Sequence, residues 1–194
     1  VLPVIALAAV LATLNGQAAS VVLELRVFDG PEEVTRQVRA TVHRGGERTE
    51  AVATRMPGDA PIEVALPEGI YDAQVFHEVE GKVLNIRWAN RLVVMRYPDE
   101  GGRHLEVVNF RNGYGALQVR TATGAPVQVA AYAAGRRDRP AAEVRTGPGY
   151  WLFVLPAGSY DVQVRDSGKV TWHSGIEVPL DRTRFWVVPE APSQ

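Results

Sequence analysis

Beyond residue 20 the chain reads as short runs in which apolar and polar residues alternate. Leu23, Leu25 and Val27 alternate with Glu24 and Arg26, and Tyr71, Ala73 and Val75 with Asp72 and Gln74. Leu117 and Val119 alternate with Gln118 and Arg120, and Tyr160, Val162 and Val164 with Asp161, Gln163 and Arg165. A period of two puts the first set of each run on a buried face and the second towards water, which is the pattern of a half-buried strand. Turn-forming groups separate the runs: Asp29-Gly30-Pro31, Gly45-Gly46, Pro57-Gly58, Gly101-Gly102, Gly124, Gly147-Pro148-Gly149 and Asp166-Ser167-Gly168. No long 3.6-residue periodicity follows residue 20. Many short strands at this spacing predict an all-β fold of antiparallel sandwiches.

An internal repeat organises the strands. Leu66-Pro67-Glu68-Gly69-Ile70-Tyr71-Asp72-Ala73-Gln74-Val75 returns as Leu155-Pro156-Ala157-Gly158-Ser159-Tyr160-Asp161-Val162-Gln163-Val164, with seven of ten positions identical at an offset of 89. Gly81-Lys82-Val83 and Trp88 return as Gly168-Lys169-Val170 and Trp172; the Trp offset is 84, so the second copy is five residues shorter there. Two tandem sandwich domains are therefore expected, over 21–112 and 113–190, with 191–194 as a tail. The stretch Asn112-Gly113-Tyr114-Gly115 is the natural joint, because Gly and Asn supply turn conformations. Within the motif, Pro fixes φ and Gly is expected to take a positive φ as the chain passes from one sheet to the other. A Tyr after such a corner buries its ring and returns its hydroxyl to the backbone. Leu66, Gly69, Tyr71, Leu155, Gly158 and Tyr160 are thus read as a structural corner and not as catalytic residues.

Three elements of the second copy carry a resemblance: the Gly115-Ala116-Leu117-Gln118-Val119 opening, the Gly124-Ala125-Pro126-Val127 turn, and Leu155-Pro156-x-Gly158-x-Tyr160-Asp161-Val162. They resemble the transthyretin-like or Ig-like sandwich modules of bacterial exported proteins, the carboxypeptidase-regulatory-like and PEGA-like group. The first copy fits less closely, with a longer strand region from Lys82 to Tyr97. The resemblance implies tandem Ig-like/transthyretin-like sandwiches serving as stalks, spacers or docking surfaces; such a fold is specific for architecture and poorly specific for function.

Val1–Leu14 is an uncharged apolar run, and the first charge in the chain is Glu24. An apolar core followed by small residues is the form of an export signal, with Gly16 and Ala18 fitting the small-residue cleavage rule. Fourteen residues are short for a membrane span, although the uncharged stretch reaches Leu23. The expectation is an N-terminal apolar helix, residues 1–20, retained as a signal-anchor on the extracytoplasmic (periplasmic) side. Ala8 and Ala12 form a small-xxx-small pair suited to close packing against a membrane helix.

Charge and composition narrow the function classes. The net charge is −1 and cysteine is absent. A near-neutral chain has no basic stripe for phosphates, so a nucleic-acid partner is not expected, and thiolate chemistry, disulfides and Cys-based zinc sites are excluded. His43, His77, His104 and His173 have no partner at helical metal spacing and read as isolated surface or edge histidines. Ser159 is a turn filler, since Ile70 takes its place in the other copy, and no G-x-S-x-G elbow occurs. Asp72 and Asp161 are equivalent; calcium needs six to eight converging oxygens, and a lone strand Asp more often solvates its face or binds a turn amide. No catalytic, cofactor or metal residue is assigned, and the chain is expected not to be an enzyme.

Two surfaces stand out for recognition. The basic turn Gly135-Arg136-Arg137-Asp138-Arg139-Pro140 offers Arg136, Arg137 and Arg139 to anionic headgroups or an acidic partner. Trp151, Phe153 and Trp186 form an interface or a carbohydrate platform if they face outward; packing between the domains explains them equally well. The expected function is a non-catalytic, membrane-tethered subunit bracing a larger assembly of membrane proteins, for instance an accessory subunit of a photosynthetic or other energy-converting complex. The alternative is an extracytoplasmic binding module for glycan or protein, or a surface adhesin-type stalk.

Overall fold

The computed structural model describes residues 20–58, 60–96, 102–122, 127–147 and 149–189. The apolar run with Ala8 and Ala12, and the tail after Pro189, lie outside the described residues. The described chain is all-β with several sheets, its single helical element being a 3-10 turn at Thr35–Gln37. None of the described helices is long and apolar enough to cross a membrane.

Residues 20–112 contribute eight strands: β1 (Val21–Asp29), β2 (Glu32–Glu33), β3 (Val38–Arg44), β4 (Ala51–Arg55), β5 (Ile62–Leu66), β6 (Gly69–Val79), β7 (Lys82–Val94) and β8 (Arg103–Asn109). One sheet runs β2-β1-β5, with β8 joining β1 in parallel; the other runs β4-β3-β6-β7. The alternation seen in the sequence sends Val21, Leu23, Leu25 and Val27 of the first sheet and Val38, Ala40, Val42, Ala73 and Val75 of the second into one shared core.

Residues 113–189 contribute seven strands: β9 (Tyr114–Thr121), β10 (Gln128–Ala133), β11 (Arg145–Gly147), β12 (Tyr150–Pro156), β13 (Gly158–Asp166), β14 (Lys169–Val178) and β15 (Thr183–Val188). They form the sheets β11-β12-β9-β15 and β10-β13-β14, with β15 parallel to β9. Leu117, Val119, Ala131, Phe153, Leu155, Val162 and Val164 fill a second core. The first and last strands of each half are thus parallel neighbours, and the corner leads from one sheet to the other in both.

Among the described residues the halves differ in two places: β2 has no counterpart in the second half, and the strand that follows β3 or β10 pairs differently. In the first half, β4 pairs with β3; in the second, β11 pairs with β12 in the opposite sheet. Pro140 stands 89 residues after Ala51, the residue that pairs with His43. Proline brings no N–H to a ladder, and only the Ala141 N–H, bonded to the Ala131 carbonyl at 2.7 Å, follows β10 before the chain turns away.

Two glycines are fixed by geometry. Gly113, between β8 and β9, has φ +86°, open to glycine at little cost. At Gly115 any Cβ would fall inside the carbonyl oxygen of Pro179, so the β9 opening tolerates no side chain. The expectation for Gly69 needs correction: it has no positive φ, and a Cβ there would meet the Tyr71 ring only in ordinary contact at 3.4 Å. Gly158 does take a positive φ, at +152°.

Candidate functional site

The corners are built alike. Leu66 and Leu155 are buried, and the rings of Tyr71 and Tyr160 are 3% and 7% exposed. Each hydroxyl donates to a carbonyl four residues back: Tyr71 to Pro67 at 2.9 Å and Tyr160 to Pro156 at 2.7 Å. Burial pushes the Tyr160 hydroxyl above its ordinary value, which keeps it a donor.

Beside each corner lies a second duplicated arrangement, on the outer face of the β3-β6-β7 and β10-β13-β14 sheets. In the first half, Asp72 accepts the Gly46 N–H at 3.0 Å and the Arg91 N–H at 2.7 Å, tying the β3–β4 turn to a bulge in β7. Arg48 lies 4.4 Å over the Trp88 ring and donates to Asn90 at 3.0 Å, and His43 packs on the same indole. In the second half, Asp161 accepts from Gly135 and Arg137 at 3.3 Å, while Arg137 lies 4.3 Å over Trp172 and donates to Ser174 at 3.2 Å. Tyr132, at the position of His43, packs on Trp172. Burial alone would raise both aspartates. For Asp72 the amides of Arg91 and Gly46, with Arg48 and His43, more than offset it. For Asp161 the Ser174 hydroxyl, the Gly135 amide and Arg137 do the same. Both carboxyls sit below their ordinary range and remain charged partners of the turn. This is a clamp for a turn and a bulge.

The halves meet through a third apolar cluster. Phe28, Leu105 and Val107 from the outer face of the β1–β8 pair meet Ala116, Tyr150, Leu152 and Val154 of the second half. The Tyr150 hydroxyl donates to Glu24 at 2.6 Å, and both residues are almost wholly buried. Burial and the Glu24 carboxylate both push the Tyr150 hydroxyl well up, so it stays protonated. Around the rim the Val107 N–H bonds Thr183 at 2.8 Å, Arg87 pairs with Asp181 at 2.6 Å, and Arg182 donates to the Asn90 carbonyl at 3.0 Å. An apolar centre with a hydrogen-bonded margin is the general make-up of a packed protein interface.

Several expected site residues need correction. Trp151 and Phe153 do not form an outward platform: they pack on the second core, while Tyr150, Leu152 and Val154 on the opposite face fill the seam between halves. Both faces of β12 are covered. Trp186 also packs on the second core, edge-on to His173 at 5.1 Å. The outward tryptophans are instead Trp88 and Trp172, each already overlaid by an arginine; a sugar ring would have to displace it. Arg137 is engaged by Asp161, Ser174 and Trp172, while Arg136, Asp138 and Arg139 are exposed charges of the turn without that engagement. Arg139 borders an open groove of about 520 Å³ lined by Val129, Val144 and Phe153.

The histidines are less exposed than expected. His43 and His77 are buried, His43 between the Glu50 carbonyl and the Thr41 hydroxyl, and His77 against Gln37 and the Phe110 ring. Burial lowers the pKa of His173. Among the described residues no three His, Asp or Glu side chains converge as metal ligands.

No family model matches this chain, and no curated protein matches it. Among solved structures it is similar to the Bacillus anthracis TIE protein, at 15% identity over 88% of this chain and 34% of that one, with a TM-score of 0.33. It is also similar to the C-terminally truncated tip fimbrial protein Mfa3 from Porphyromonas gingivalis, at 11% identity over 90% and 96% of the two chains, with a TM-score of 0.33. A third is GBS52, the minor pilin of Streptococcus agalactiae, at 12% identity over 90% and 100%, with a TM-score of 0.27. The chain spans about a third of the TIE protein. At TM-scores this far below 0.5, these likenesses carry neither fold nor function across.

Proposed function

We propose that this chain is a non-catalytic, extracytoplasmic stalk of surface-adhesin type, made of two tandem Ig-like/transthyretin-like β-sandwich modules and tethered by its apolar N-terminal run. The observation that carries the reading is the buried seam: Tyr150, Leu152 and Val154 packed on Phe28, Leu105 and Val107, with the Tyr150–Glu24 hydrogen bond inside it. Such a seam makes two modules one rigid spacer, where a linker would leave them independent. The tandem reading is supported by the recurrence of the β5–β6 corner as the β12–β13 corner 89 residues on, and by the parallel pairing of the first and last strands in both halves. The non-catalytic reading is supported by the engagement of Asp72, Asp161, Glu24, His43 and His77 with structural partners. Bracing of an energy-converting membrane complex draws no support from any side chain described above.

The test uses the absence of native cysteine. Spin labels on Glu47→Cys in the first half and Arg165→Cys in the second, in the full chain, should give a single narrow distance distribution. A broad distribution would remove the rigid-stalk reading. N-terminal sequencing of native material tests the tether separately: a mature chain starting near Ala19 removes the anchor and leaves the stalk.

A further inference from the structure

Apart from Val52 on β4 and Met56 after it, the exposed large apolar side chains of the first half gather at the two ends of the β6–β7 ladder. At one end stand Ile70, Val93 and Met95, which are 49%, 48% and 41% exposed. Ile70 and Val93 are direct cross-strand partners on the face opposite to buried Tyr71, Leu92 and Val94. At the other end stand Val79, Val83, Leu84 and Ile86, flanking the Glu80-Gly81 hairpin tip. β6 runs from Gly69 to Val79, so the ends are about 33 Å apart at ~3.3 Å per residue.

Only the first end coincides with the place where the chain enters. Arg96, next to Met95, donates from its side chain to the Ser20 carbonyl at 3.5 Å and from its backbone N–H to Glu68 at 2.8 Å. Ser20 leads directly into β1, and the sequence before it is uncharged, with the apolar run Val1–Leu14 five residues further back. Exposed Arg44 pairs with Tyr71 at this end of β3, and the N–H of the next residue, Gly45, bonds to the Ile70 carbonyl at 2.8 Å. Arg91 is exposed two residues before Val93. Among the described residues the acids at this end are Asp72, held by the Gly46 and Arg91 amides, Glu68, held by Arg96, and Glu47 and Glu50 on the β3–β4 turn. An apolar patch edged by arginines, at the root of an apolar segment, matches the chemistry of a lipid headgroup boundary.

We propose that the face formed by Ile70, Val93 and Met95 rests in the headgroup boundary of the bilayer that Val1–Leu14 enters. The first half is then the membrane-proximal one, and the Glu80-Gly81 tip is held away from the lipid. This rests on the tethered reading above.

The experiment places an environment-sensitive fluorophore on Met95→Cys or, as the distal control, on Ile86→Cys. The full chain is reconstituted in vesicles of phosphatidylcholine and phosphatidylglycerol in equal parts, with and without headgroup-proximal doxyl lipid. The expected result is blue-shifted emission at residue 95 that doxyl lipid quenches, with aqueous, unquenched emission at residue 86. Aqueous emission at 95 in vesicle-bound chain overturns the proposal and leaves the tether standing. Blue-shifted emission at 95 that doxyl lipid does not quench means that protein covers the face, and overturns it as well. Quenching at both positions removes the orientation. Failure of the chain to associate with vesicles at all sinks the tether and this proposal together.

Discussion

Strands β5 and β12 occupy the same place in the two halves and carry opposite outer faces. β5 shows Glu63 and Ala65 to solvent; 89 residues on, β12 presents Leu152 and Val154, which are buried in the seam. Their inner faces are alike, with Ile62, Val64 and Leu66 in one core and Trp151, Phe153 and Leu155 at the other. The inner pattern belongs to the sandwich and is kept by both halves. The outer pattern belongs to the neighbour, and only β12 has one.

The comparison breaks hardest if β12 is given the outer residue of β5. Leu152→Glu buries an unpaired carboxylate in the seam, and should cost about 4 kcal/mol or part the halves outright, read by urea denaturation and by the spin-label distance. The reverse change, Glu63→Leu, loses only a surface pair with Arg103 and should stay within about 1 kcal/mol. Next in size is Tyr150→Phe. It leaves the buried Glu24 carboxylate with Arg103 at 3.6 Å but without the Tyr150 hydroxyl, and should cost about 2 kcal/mol, with the loss greatest in the separation of the halves.

The corners sharpen the comparison from the other side. Because Tyr71 and Tyr160 make the same bond, Tyr71→Phe and Tyr160→Phe should each cost about 1 kcal/mol, and nearly equally; a difference several-fold in size between the two would mean the corners are not equivalent.

The smallest effect is in acid. Asp72 and Asp161 have folded pKa values below the ordinary carboxyl value of 3.8. Their contribution is full above that value and is lost as pH falls through the lower folded one. Asp72→Asn and Asp161→Asn should therefore flatten the acid limb of the stability curve and leave its slope near neutrality unchanged.

How much of this was legible in the sequence differs by feature. The corner was, because its residues follow one another and recur at a fixed offset. The clamp was half legible. Gly46-x-Arg48 and Gly135-x-Arg137 share the offset of Asp72 and Asp161, yet the second was read as a basic turn alone, since a guanidinium over an indole links residues far apart in the chain. The burial of β12 on both faces also had a signal: Tyr150 to Leu155 is six apolar residues without alternation, the pattern of a strand covered on both sides. What covers the outer face is not in that run, and so Trp151 and Phe153 were open to an outward reading. Burial of His43 and His77 left no trace, because most of what encloses each ring lies at no fixed spacing from it: Glu50 and Trp88 around His43, Gln37 and Phe110 around His77.

The parallel neighbours β1–β8 and β9–β15 also fix how the molecule bears tension. A pull on the two termini of either half drags these adjacent strands lengthwise in opposite directions, and their seven and six register pairs are loaded together in shear. Yielding then requires the whole ladder to slip at once, whereas a hairpin at the same place would unzip bond by bond.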